Sequence, residues 1–199
     1  MAEKREVTIE KENKGLSIQD LILVAVLIAA GAVLKLTVAS FLAYGGAKPN
    51  FMIATYCLAI ILINPKGAKG ILECLVIGLL VGLVSQIPML NATPLVNFAS
   101  EAIGAVVCGL LCMLFSNIAK NSFVAQGVVF PAINTFISTL FSGYSFCIIV
   151  AAVVSGMMAE QGLIAVLIFY IPMVVGTGAM NAVFAAIVCP ILKKALKRD

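Results

Sequence analysis

The chain has 199 residues, 62% of them hydrophobic and 11% charged, with a formal charge of +4 and neither His nor Trp. A mean hydropathy of +1.14 exceeds what a soluble core requires and points to an integral membrane protein built of helices. The roughly ten-residue alternation of a β-barrel is missing, and the bases sit between apolar runs, where membrane topology accounts for them without a nucleic-acid partner.

Residues 1–16 mix charges of both signs and read as a cytoplasmic tail. Ser17 and Asp20 stand at capping-box spacing to open a first span over residues 19–39, long enough to cross a hydrocarbon core of roughly 30 Å. Its inner half carries Ala25, Ala29 and Ala32 on or near one face, which would let another helix approach closely; toward its outer end it carries a single charge, Lys35. A turn with Gly45, Gly46 and Pro49 leads to a second span over 51–63, closed by Asn64 and Pro65. Lys66 and Lys69 mark an inner loop, followed by a third span over 71–87 and a fourth over 95–115. Two longer runs, 124–154 and 163–192, exceed one simple crossing. Tilt, a kink at Pro131 and Pro172, or a portion lying in the outer loop would take up the excess.

The expected architecture is therefore an all-α, six-helix transmembrane bundle with both termini in the cytoplasm, residues 17–199 forming one domain in the cell membrane. The bases test the orientation. With the N-terminus inside, Lys4, Arg5, Lys11, Lys14, Lys66, Lys69, Lys120, Lys193, Lys194, Lys197 and Arg198 all fall on the cytoplasmic side, and only Lys48 falls outside.

Several chemistries lack their residues. No phosphate-binding loop occurs, and the absence of His removes the common zinc motifs and the usual serine triad, so neither ATP hydrolysis nor enzyme catalysis is expected. The six cysteines lie in apolar runs without metal or redox spacing and read as small buried residues, so no metal or cofactor is expected.

Polar residues instead gather toward the outer side. Lys35 lies about fourteen residues beyond the inner end of the first span and Glu101 about six residues into the fourth span from outside, which puts them at comparable depth. Lys48, Asn50, Gln86, Asn97 and Tyr144 lie around or above that level, and the seven together form the candidate substrate site. An ionisable group inside a membrane marks a functional site by default, because burying it unpaired costs several kcal/mol. Each has a plainer reading: Lys35 reaching the outer headgroups, Tyr144 in an interfacial belt, and the Ala face packed inside the bundle. Asn134 and Asn181, which lie deeper, are expected to bond helix to helix, and Glu73 to pair with Lys69 at the inner surface.

The Ala25-x-x-x-Ala29 spacing, the segments GAVLKL and GGAKPNFM, the ending ILINP of the second span, SQIP at 85–88, and Asn181 followed by Pro190 resemble the substrate-binding S components of energy-coupling factor (ECF) transporters. Among these the chain is most similar to the tryptophan-transporter type, which shows a K-P-[DN]-x-M turn after its first span. The resemblance implies a six-helix membrane protein that captures a small organic solute, tryptophan or a related amino acid, on the outer side. It further implies a transmembrane coupling subunit and two ATPase subunits as partners, with Ala25, Ala29 and Ala32 at the coupling-subunit interface. Val33 interrupts the series of small residues, and the resemblance assigns no role to the pair Lys35 and Glu101. A stand-alone secondary carrier for a small solute, using Lys35 and Glu101 as a relay, and an S component for a vitamin are the alternatives.

Overall fold

The computed structural model describes residues 15–42, 49–86, 94–115, 122, 124–153 and 155–197. Among them the regular elements are helices: α1 (Ile18–Leu36), a short α2 (Val38–Phe41), α3 (Met52–Ile63), α4 (Gly67–Val84), α5 (Pro94–Phe115), a π-helical turn (Ala125–Val129) running into α6 (Phe130–Val153), and α7 (Ser155–Leu196). Residues 1–14, 43–48, 87–93, 116–121, 123, 154 and 198–199 lie outside the described residues.

Helix α1 opens on the expected capping box. The Ser17 hydroxyl accepts from the Asp20 amide at 3.1 Å, and the Asp20 carboxylate accepts from the Ser17 amide at 3.1 Å. Its far end departs from the single unbroken span read from the sequence. Thr37, at φ −97° and ψ −80°, divides α1 from α2, and its hydroxyl donates to the Val33 carbonyl at 2.7 Å, a back-bond of the kind that bends helices. Lys35 is left in the last turn of α1, where the unpaired carbonyls favour a cation.

Helix α3 is the centre of the bundle and packs against α1, α4, α5, α6 and α7. Every residue from Met52 to Leu62 is buried, as befits a helix that is apolar all round and meets protein on every side. At twelve residues it is roughly 18 Å long, too short to cross a bilayer by itself. Five helical stretches have the length and hydropathy to cross: Ile18–Phe41, Gly67–Val84, Leu95–Phe115, Ala125–Ala152 and Ile164–Leu196. The C-terminal end of α3 stops as the sequence predicts, with Asn64 left-handed at φ 54° and its amide on the Ile60 carbonyl.

Small residues set the spacing of the helices. A Cβ at Gly78 of α4 would stand 2.7 Å from the Ala102 Cα and 2.8 Å from the Glu101 carbonyl oxygen, so α4 and α5 touch backbone to backbone. Cys57, Cys74, Cys108, Cys112 and Cys189 fill the apolar core around α3, and all six cysteines are buried as free thiols.

In the first of the two long runs the Phe130 amide reaches back five residues to Ala125, forming a π turn, while Pro131 offers no amide to the turn before it. The two runs part at Gly162, at φ 72° and ψ 154°, just ahead of residue 163 as the sequence divides them, and within the second run Pro172 and Pro190 are carried inside helix, so the kink considered at Pro172 is not formed. Gly162 adopts a backbone conformation closed to other residues at little cost, whereas a proline costs one hydrogen bond that the surrounding helix tolerates.

A candidate substrate site around Glu101

Glu101 stands two turns into α5 and is completely buried. One carboxylate oxygen, Oε1, accepts from the amide of Asn50, and the other, Oε2, has no hydrogen-bond partner among the described residues. The orientation of the Asn50 amide is fixed by its other end, since Oδ1 accepts from the Met52 backbone at 3.3 Å at the entrance of α3. Asn50 therefore joins the start of the central helix to a buried carboxylate on its neighbour.

Asn50 also sits deeper than an outer-loop residue would. Its carbonyl accepts from Asn181 Nδ2 at 3.1 Å, and Asn181, near the middle of the membrane-crossing part of α7, is itself fully buried. Asn50, two residues ahead of α3, is thus held inside the bundle. Asn181 Nδ2 further donates to Thr139 Oγ1 at 3.2 Å on α6, and that hydroxyl donates to the Thr135 carbonyl at 2.7 Å.

Tyr56 approaches from the side. Its hydroxyl lies against Gly104, one turn beyond Glu101, and close to Ser142, within electrostatic reach of the carboxylate. A side chain at position 104 would occupy that place. Among the described residues, four buried polar atoms from four helices have no hydrogen-bond partner: Tyr56 OH, Glu101 Oε2, Thr135 Oγ1 and Asn181 Oδ1. In an apolar bundle each such atom costs free energy unless something else satisfies it, and a polar ligand is one such partner.

Lys35 is 6% exposed, so its ammonium turns into the bundle and does not reach for the outer headgroups, and its charge acts on Glu101. Asn97, one turn before Glu101 on α5, is buried on the same side of the helix. Gln86 is half-buried and donates to the Gly82 carbonyl of its own helix at 2.8 Å. Tyr144 is half-buried, and at about 100° per residue it lies roughly 200° around α6 from Ser142, away from the buried polar face. Lys48 falls outside the described residues. Asn134 behaves as a helix tie, donating to the Cys108 carbonyl at 3.2 Å and to Cys112 Sγ at 3.3 Å. At the opposite end of α3 a cleft of about 190 Å³, bordered by Asp20, Lys66, Lys69 and Glu73, marks where the start of α1 meets the start of α4.

Three residues of this cluster are missing from the sequence-derived set: Tyr56, Thr139 and Asn181. Their signal was present in part. Asn134, Ser138 and Ser142, with Thr135 and Thr139 beside them, recur every four residues, which is the period of one helix face, and all five are buried.

The model of one protein family, the tryptophan transporter TrpP, matches residues 17–197, nearly the whole chain. The chain belongs to the TrpP family. Comparison with curated proteins and with solved structures gives no match. The TrpP match covers the segments that carry the sequence resemblance as well as Lys35, Asn50, Glu101 and Asn181, and with five long apolar helices it makes the chain a multi-pass membrane protein. A TrpP protein handles a small zwitterion, and the buried groups described above include both a cation and a carboxylate.

Proposed function

We propose that the chain is the substrate-binding subunit of an ECF-type importer for tryptophan or a related amino acid. It crosses the membrane six times with both termini inside, α3 and the first outer turn together making the second crossing, and residues 1–16 form a cytoplasmic tail ahead of one transmembrane domain. The observation that carries the reading is Glu101: a carboxylate buried to 0% exposure with one oxygen unpartnered, in a chain of a tryptophan transporter family. A ligand ammonium satisfies Glu101 Oε2, and the ligand carboxylate faces Lys35, both in surroundings that raise the worth of each charge contact above its value in water. The described bases Lys66, Lys69, Lys193, Lys194 and Lys197 then lie on the cytoplasmic side. The sequence carries no phosphate-binding loop, and in this reading a coupling subunit and two ATPases supply the energy for transport.

The test is reconstitution. Purified protein in liposomes is expected to bind labelled tryptophan without accumulating it, and to accumulate it only when the coupling subunit, both ATPases and ATP are added. Accumulation by the chain alone would instead establish a secondary carrier.

A further inference from the structure

Glu101 does not stand alone in the bundle. It ends a chain of hydrogen bonds that ties α5, the entrance of α3, α7 and α6: Glu101 Oε1 accepts from Asn50, the Asn50 carbonyl accepts from Asn181 at 3.1 Å, and Asn181 donates also to Thr139 at 3.2 Å. Both bonds of Asn181 come from one nitrogen, and its Oδ1 is buried without a donor. A side chain that served only to tie helices would not leave its carbonyl oxygen unsatisfied in an apolar interior.

We infer that Asn181 is a positioning and specificity-determining residue of the ammonium subsite: acting through Asn50, it fixes which oxygen of Glu101 is offered to the ligand, and it adds its own Oδ1 as a second acceptor. The inference rests on the reading of Glu101 as the ammonium acceptor. Without Asn50 the two carboxylate oxygens would be equivalent and the group free to turn about its last torsion; with Oε1 occupied, only Oε2 is open. Asn50 can hold that place only if its backbone is held, and the Asn181 bond to its carbonyl does this from the far side of the bundle. One open carboxylate oxygen and one amide oxygen suit a primary ammonium, which has three N–H donors that point in different directions. They do not suit a guanidinium, which seeks two parallel oxygens of the same carboxylate. The ligand group these two acceptors suit is therefore a free primary ammonium, which tryptophan carries.

The experiment uses the full-length purified chain and two ligands, tryptophan and indole-3-propionate, which keeps the ring and carboxylate but has no ammonium. Wild-type protein should bind tryptophan at least about tenfold more tightly; equal affinities would refute the Glu101 reading itself. Where the wild type does discriminate, Asn181→Leu should weaken tryptophan by about tenfold and indole-3-propionate by no more than about twofold. Thr139→Val, which keeps shape and leaves the Asn50 bond in place, should shift the same ratio in the same direction by about threefold. If Asn181→Leu does not fold, Thr139→Val decides. An unchanged ratio, or equal loss for both ligands, overturns the positioning role while leaving the Glu101 reading standing.

Discussion

At the scale of single residues, two buried polar side chains with similar chemistry have different surroundings. Asn134 spends its amide on groups of α5 and receives Ser138 Oγ on its carbonyl at 3.1 Å, so its hydrogen-bonding capacity is used within the protein. Glu101 keeps an oxygen open. Glu101→Gln keeps the shape and the Asn50 contact region but removes the charge, so tryptophan affinity is expected to fall by roughly 1.5–3 kcal/mol, or about ten- to a hundredfold, with little change in melting temperature. Asn134→Ala should do the reverse, lowering the melting temperature and leaving affinity within about twofold. Isothermal titration and thermal melting of the purified variants check both, and small, equal effects on affinity would return Glu101 to a packing role. The sequence made Glu101 and Lys35 legible because an ionisable residue within a span is conspicuous in itself. Tyr56 and Asn181 were harder to read, since their part depends on Asn50 entering the bundle at mid-depth, and no local pattern encodes how far a turn folds inward.

At the scale of elements, the π turn ahead of α6 shows a neighbouring helix contacting the turn before a proline. The Gln126 carbonyl would find its π-helical partner at residue 131, which is proline and has no N–H, while the Phe130 amide is committed to Ala125. Lys193 Nζ, from the last turns of α7, donates to that carbonyl at 3.1 Å. A charged donor on a half-buried carbonyl is worth about 1–2 kcal/mol. Lys193→Met retains the apolar stem and removes the donor, so it should lower the melting temperature by a few degrees. Ligand affinity should stay unchanged, because Lys193 lies twelve residues, roughly 18 Å, along α7 from Asn181. A melting curve and a titration of the same sample settle it; an unaltered melting temperature would mean that water caps the carbonyl equally well. Helix ends at Ser17 and Asn64, and the parting of the last two runs just before residue 163, were readable because caps and breaks are local, whereas the passage of helix through Pro172 was not, since a proline's tolerance inside a helix is decided by what packs around it.

At the scale of the whole molecule, α1 faces two ways. Val24, Leu27, Ile28, Gly31 and Lys35 turn inward, and the Gly31 position admits Thr55 of α3 so closely that no side chain fits there. Ala25 and Ala29 are exposed and Ala32 is half-buried, so the small-residue face is not packed inside the bundle. In a bilayer an exposed row of small residues gains little from lipid, but it lets a second helix approach backbone to backbone, where dispersion contacts are dense and no lipid chain fits as well. Under the proposed function, the contact with the coupling subunit is there, and ligand contacts begin at Lys35, about 15 Å along the helix from Ala25. Ala29→Trp fills the face with a bulky ring without touching the inward residues, so tryptophan affinity of the isolated chain should stay within about twofold of wild type. Co-purification with the coupling subunit and ATPases, and ATP-dependent uptake in proteoliposomes, should both fall by at least about tenfold. Loss of affinity in the isolated chain would show that the face supports the bundle itself, and intact assembly and uptake would place the coupling contact on another helix.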